Sequence, residues 1–496
     1  MANMSYVSLT ALLVAPLLII NGPAQAATPA ATAKDPDIVR ISQDTQSLND
    51  LPWSTGVESR QFSLSSDGSA FVYSSIGVTK HIEGDGVYYD PAPAVSVVRL
   101  RNTDNNKKLE ISCRGTLPQF DPGNPGWPLF NPLVSANGQL VASGFGTYDY
   151  ELDRYADYVE VHTVNDKCKS KLILRIAPKD KPRSITGVAL SSDGRYLAYS
   201  FIEPEADDSN PGEVGWNYDR GTANIRIVDL TKVSKKGQVD PSAESSVWSE
   251  EYDYSGDLQV IGAVTTSDAP AKVIVGRSNQ QSDLSVDGAY QQIFSLTSKG
   301  DGVQGDLKQL VREVRNGYSD FSMDDSGTLS AFTASTLFSE KNLPKQFATN
   351  IYDSNRAMDV FTKMYGEGSG MLRVSKPLGC RDSDVACQPN FQSGQSYMSS
   401  TGEYIAFMTR ADNLSKPDVN YSSDILIYNL KTGGLTAPVR VNGGKQPDND
   451  CRYPAISSNG KIVAFVSYAK NLAKLPDYEK ETDDPVPDLY VAKINQ

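Results

Sequence analysis

Residues 455–468 read AISSNGKIVAFVSY, a short run of Ser and Asn, a glycine, then an alternating apolar strand that ends in a small polar residue. The same phrase recurs along the chain as SLSSDGSAFVYSS at 63–75, LVSANGQLVASGF at 133–145 and ALSSDGRYLAYSF at 189–201. It returns as SMDDSGTLSAFTAS at 322–335 and YMSSTGEYIAFMTR at 397–410, with a degenerate copy, VTTSDAPAKVIVGRS, at 264–278. Asp-Gly, Asn-Gly and Ser-Gly supply the positive φ of a tight hairpin turn, and alternation after the turn marks a half-buried strand. Each copy therefore predicts an antiparallel hairpin.

The spacing between copies leaves room for four strands apiece. Third strands are expected at 95–100, 158–163, 225–230, 292–297, 359–364, 424–429 and 488–493, and fourth strands at 108–113, 171–176, 245–249, 308–313, 371–375 and 438–442. The seventh copy stops after its third strand, at Gln496, whereas IVRIS at 38–42 has the style of a fourth strand with no blade of its own. A closed ring places that strand in the last sheet and leaves no free edge. The expected fold is an all-β, seven-bladed propeller over 38–496, with six blades as the runner-up if the degenerate copy is not a blade.

The phrases RVNGGKQPDNDCRYPAISSNGKIVAFVSYAKNL at 440–472 and RADNLSKPDVNYSSDILIYN at 410–429 resemble the repeat of TolB-like, WD-repeat-related bacterial β-propellers. That resemblance implies a periplasmic or secreted binding scaffold. Related propellers also cap prolyl-oligopeptidase-type hydrolases or form glycan lyases, and fold analogy alone does not choose among functions.

Ahead of the repeats, VSLTALLVAPLLII at 7–20 followed by NGPAQA has the form of a signal peptide over 1–26, with a leader at 27–37. Export to the periplasm or beyond follows, with no membrane span after its removal. Five cysteines suit an oxidising compartment, and Cys380 with Cys387 is the favoured pair, Cys451 competing for either. A net charge of −13 without a Lys/Arg cluster argues against a nucleic-acid partner. Only His81 and His162 are present, which leaves little room for zinc sites or a Ser-His-Asp triad.

In a propeller the fourth-to-first and second-to-third connections share one face, and the long loops fall there. Trp53, Trp127 and Trp216 lie in those stretches and are candidates to stack on a sugar or anchor a peptide, although packing of the loops is the simpler role. Asp353, Asn355 and Asp359 precede one third strand, and Asp418, Asn420 and Asp424 precede the next at the same spacing. Hard oxygen ligands so placed suit Ca²⁺, while local capping of turns explains the same pattern. The sequence thus points to a scaffold that binds a protein or glycan through its loop face. The alternative is an extracellular carboxylate-based hydrolase or lyase at the mouth of the central channel.

Overall fold

The computed structural model describes residues 37–42, 62–83, 86–117, 127–129, 131–146, 148–149, 154–155, 157–177, 183–207, 215–233, 244–252, 258–264, 272–279, 290–299, 301–314, 321–334, 357–365, 370–380, 388–414, 418, 420–441, 445–472 and 487–494. They belong to one compact unit, Lys34–Gln496. The expected signal peptide and leader lie outside the described residues except for Asp37.

Seven antiparallel sheets follow one another along the chain. Blade 1 holds Phe62–Leu64, Ala70–Glu83, Gly86–Arg101 and Glu110–Thr116. Blade 2 holds Leu133–Val134, Leu140–Gly146, Tyr158–Val164 and Ser170–Ile176, with Trp127–Pro128 pairing with the end of its second strand, on the same edge as the first. Blade 3 runs through Ser184–Leu190, Tyr196–Asp207, Gly215–Asp229 and Glu244–Tyr252. Blade 4, built on the degenerate copy, is complete: Leu258–Val264, Lys272–Asn279, Tyr290–Thr297 and Asp306–Val314. This settles seven blades over six.

Blade 5 contains Phe321–Met323, Leu329–Ala334, Asp359–Met364 and Met371–Arg373, and blade 6 contains Ser393–Met398, Tyr404–Thr409, Asp424–Asn429 and Leu435–Thr436. The last of these corrects the expectation of a strand at 438–442. Gly433, at φ 70°, turns the chain at once, so Tyr428 and Ile427 pair with Leu435 and Thr436 instead. Blade 7 takes Cys451–Ile456, Ile462–Ser467 and Asp488–Lys493 from the end of the chain and Asp37–Arg40 from its beginning. The register runs from Asp37 opposite Lys493 to Arg40 opposite Tyr490. The ring closes as the unmatched strand required.

Burial explains why the blades associate. Alternate residues of each sheet face opposite neighbours, so every pair of adjacent blades shares an apolar core. Phe71, Val98, Ala464 and Val491 join blades 1 and 7; Ala331, Val360, Ile405 and Phe407 join blades 5 and 6; the other five seams are similar. Each wholly buried Phe in these seams is worth about 1.5–3 kcal/mol of transfer free energy.

The repeated Ser-x-Asp/Asn-Gly phrase has a structural purpose. In blade 1 the Ser65 hydroxyl donates to Asp67 and accepts from the Ala70 amide, and Asp67 in turn accepts from the Ser69 amide. Ser191 with Asp193 and Ser457 with Asn459 repeat the arrangement. Neighbouring turns then bond to one another. Ser458 N–H donates to the Ser66 carbonyl, Asp67 to Ala136, Ala136 to Ser192 and Asp325 to Ser400, while the Thr401 hydroxyl reaches Ser458. The first-to-second-strand turns of blades 5, 6, 7, 1, 2 and 3 thus form a collar on the face opposite the long loops. Gly460 illustrates why glycine is needed in it: φ is 69°, and a Cβ would meet the Tyr404 ring of the preceding blade at 2.7 Å.

Candidate functional site

The aspartates that begin the third strands are buried and internally paired. In blade 5, Arg373 Nε lies 3.0 Å from Asp359 Oδ2, and the Ser375 hydroxyl donates to Asp359 Oδ1 at 2.9 Å while accepting from the Val360 amide. In blade 7 the N-terminal strand supplies the same set: Arg40 lies 2.8 Å from Asp488, and Ser42 donates to Asp488 and accepts from the Leu489 amide. Blade 6 places Arg440 3.7 Å from Asp424, with Gln446 Nε2 donating at 2.8 Å. Burial pushes the Asp424 carboxyl above the ordinary carboxylate range, with Arg440 and Gln446 opposing. The sequence carried this signal as Arg-x-Ser or Arg-x-Asn at 40–42, 373–375 and 440–442, opposite each Asp.

Of the remaining residues proposed to hold a cation, Asp418 accepts from Gln446 Nε2 at 3.1 Å, and Asn420 donates to the Pro447 carbonyl at 2.6 Å. Asp353 and Asn355 lie outside the described residues. Among the described residues no three His, Cys, Asp or Glu side chains converge as a metal site would require. His162 is buried in blade 2 with Nε2 2.8 Å from Glu160, which also accepts from Arg175.

Trp53 is outside the described residues; Trp127 begins the added strand of blade 2, and Trp216 lies in the third strand of blade 3, its backbone opposite Ala206. Both sit at the loop-face ends of their blades. Trp248, in the fourth strand of blade 3, packs against the seam between blades 3 and 4. Cys380 is disulfide-bonded, and Cys387, the partner expected of it, is outside the described residues. Cys451 is free and buried, and burial pushes its thiol up. A bridge not anticipated, Cys113–Cys168, joins the fourth strand of blade 1 to a turn of blade 2.

On the loop face of blades 6 and 7, side-chain amides tie one connection to the next. Asn413 accepts from the Asn390 amide and donates to the Gln388 carbonyl; Asn471 does the same for Asp448 and Gln446 one blade later. These clamps fix the connections that carry the surface residues. Asp450 accepts from the Ser423 amide at 2.7 Å and is flanked by Arg452 and, at 3.5 Å, by Arg410. Desolvation raises the Asp450 carboxyl, but the Ser423 amide and the two guanidiniums outweigh it and hold it below the usual range. One carboxylate thus faces two half-exposed arginines. On the same face Leu378, Phe391 and Tyr421 are 56%, 54% and 85% exposed.

No family model and no curated protein matches the sequence. Solved structures of similar shape include the β-propeller domain of the Trilobed protease from Pyrococcus furiosus, described as having an open velcro topology. It is 12% identical, with 86% of this chain and 90% of that chain covered and a TM-score of 0.40. A puromycin-hydrolyzing peptidase from Mycobacterium tuberculosis is also 12% identical, with 86% and 58% covered and a TM-score of 0.40. Kuenenia stuttgartiensis hydrazine synthase is 14% identical, with 84% and 95% covered and a TM-score of 0.38. At these identities the likeness extends to the propeller alone.

Proposed function

We propose that this chain is an exported binding scaffold that engages a protein partner through its loop face. The observation that carries the reading is the asymmetry of the two faces. The far face carries the collar of mutually bonded turns, with Val303 and Met364 its exposed large apolar residues, whereas the loop face presents Leu378, Phe391 and Tyr421 together with Arg410 and Arg452. Exposed aromatics and arginines on a rigid support are the composition of protein-interface anchors. Export agrees with the apolar segment at 7–20 and with the Cys113–Cys168 bridge, since disulfides persist in oxidising compartments. The resemblance to TolB-like scaffolds points the same way.

The test is retention of partners from a periplasmic or secreted extract by the immobilised chain, compared with a Leu378→Ser, Phe391→Ser, Tyr421→Ser triple variant. A protein held by the parent and lost from the variant supports the reading. Equal retention by both refutes it.

A further inference from the structure

The fold brings together two lysine-rich turns that lie far apart in the chain. Residues 102–109 join the third strand of blade 1 to its fourth, and residues 165–169 do the same in blade 2. A third-to-fourth-strand turn lies at the same end of its blade as the first-to-second turn, so both stand on the collar face. The Cys113–Cys168 bridge ties the fourth strand of blade 1 to the turn of blade 2, with the two Cα atoms 5.8 Å apart. Behind them Arg99 crosses the seam, donating to the Val164 carbonyl at 3.1 Å and to the Asn137 carbonyl. Both turns are described throughout.

Lys107 and Lys108 belong to the first turn, and Lys167, Lys169 and Lys171 to the second and the strand that leaves it; all five are exposed. None of their ammonium groups meets a carboxylate or another acceptor among the described residues. Elsewhere on this face Lys299 is paired with Asp306 and Lys431 with Glu403.

The charges around the two turns balance in number. Arg101 is paired with Glu110. Asp37, which accepts from the Leu109 amide, is matched by Lys493, whose ammonium the carbonyls of Asn102, Asn105 and Lys107 surround. Buried Arg99 is matched by Asp67 of the collar. What is left is five lysines against Asp104 and Asp166, a surplus of three positive charges. Since the whole chain carries −13, the remainder carries −16. An anionic surface therefore repels the chain on average and attracts it at this one place, which also sets its orientation.

The residue type narrows the ligand. Lysine offers a compact, hydrated point charge on a flexible stem, without the planar fork by which arginine grips a single carboxylate or phosphate. No exposed large apolar residue stands in either turn, so the patch lacks the anchors of a protein interface. A long polyanion that followed the surface further would run into the acidic remainder, whereas a flat layer of headgroups need touch only this end.

We propose that blades 1 and 2 adsorb to a membrane surface rich in anionic phospholipid, the headgroup phosphates meeting Lys107, Lys108, Lys167, Lys169 and Lys171. The loop face then points away from the bilayer, and the adsorption is independent of what that face binds.

The test is cosedimentation of the full chain with vesicles of phosphatidylcholine alone, or with about one part in three of phosphatidylglycerol. Retention by the anionic vesicles at about 0.05 M salt and release at about 0.5 M are expected, with neutral vesicles retaining little. Glutamine at the five positions should lower the partition at least about tenfold, each lysine near an anionic surface being worth roughly fivefold. Arginine at the same positions keeps the charge and should keep the binding. Lys272→Gln, Lys299→Gln, Lys308→Gln, Lys431→Gln and Lys461→Gln together make the same change of charge on other blades and should leave most of it.

Equal loss from the two glutamine variants, retention that salt does not weaken, or no retention of the parent at low salt overturns the proposal. So does capture by immobilised heparin without capture by vesicles, because the ligand is then a polyanionic chain. A Leu378→Ser, Phe391→Ser, Tyr421→Ser variant should stay on the vesicles, which separates this result from the fate of the loop-face reading.

Discussion

Replacing Arg373 by Met tests whether the repeated aspartates serve the blades themselves. Arg373 and Asp359 are both fully buried, with Nε 3.0 Å from Oδ2, and the Ser375 hydroxyl donates to Oδ1. Removing the guanidinium leaves a buried carboxylate without its cationic partner on the face of blade 5 that carries Phe361 and packs towards blade 4, which costs about 3–5 kcal/mol. That is roughly a hundredfold to several-thousandfold change in the unfolding equilibrium. Methionine fills most of the vacated stem, so little of the loss is cavity. The assay is equilibrium urea unfolding, read as the midpoint at unchanged slope. Pairing the change with Asp359→Leu should recover most of the loss, because an apolar pair of similar volume replaces a buried ion pair at little net cost. A single variant within about 1 kcal/mol of the parent, or a double variant worse than the single, would refute the assignment.

Four further outcomes are expected. Replacement of Cys113 and Cys168 by serines releases a loop whose ends are 55 residues apart and lowers stability by about 4 kcal/mol, measured by urea unfolding with the other cysteines unchanged. Lys493→Met removes an ammonium that the carbonyls of Asn102, Asn105 and Lys107 surround at the seam of blades 7 and 1, costing about 2–3 kcal/mol and hastening proteolysis there. The Asp450 carboxyl is held below its ordinary value, so its contribution is present above the unfolded pKa of about 3.9 and disappears as pH falls through the lower folded value; Asp450→Asn should flatten that part of a stability-against-pH curve. Millimolar Ca²⁺ and EDTA should each leave the melting temperature unchanged, given the arginines at Asp359 and Asp424; a rise with Ca²⁺ would instead establish a bound cation.

The architecture was legible because its turns obey local rules. A self-capping Ser-x-Asp-Gly hairpin can be read from a dozen residues, and even the degenerate copy at 264–278 kept enough alternation to mark blade 4. What escaped the sequence depends on neighbours distant in the chain. Cys113 and Cys168 meet only because adjacent blades bring a fourth strand against the next blade's turn, which spacing cannot reveal. Asp359 and Asp424 read as Ca²⁺ ligands or turn caps from the sequence, because the arginines that pair with them lie on later parts of the chain, and only the fold lays these beside the third strands. The third strand of blade 1 was expected only from residue 95; it begins at Gly86 and accommodates Pro91 and Pro93 because odd positions there point away from the second strand. For blade 6, the arginine of the expected strand at 438–442 does reach Asp424, although the strand itself forms earlier.

Closure of the ring through blade 7 also has a mechanical consequence. Asp37 lies opposite Lys493, so the first and last described strands enter the pair from the same end. Tension applied between the two ends of the chain would open that rung first and then the next, loading the hydrogen bonds in turn and not all at once. An antiparallel pair pulled this way unzips; it does not shear. The propeller would therefore resist compression and twisting through its seven apolar seams, yet yield to stretching at a single defined place, releasing the first strand while leaving the other six blades intact.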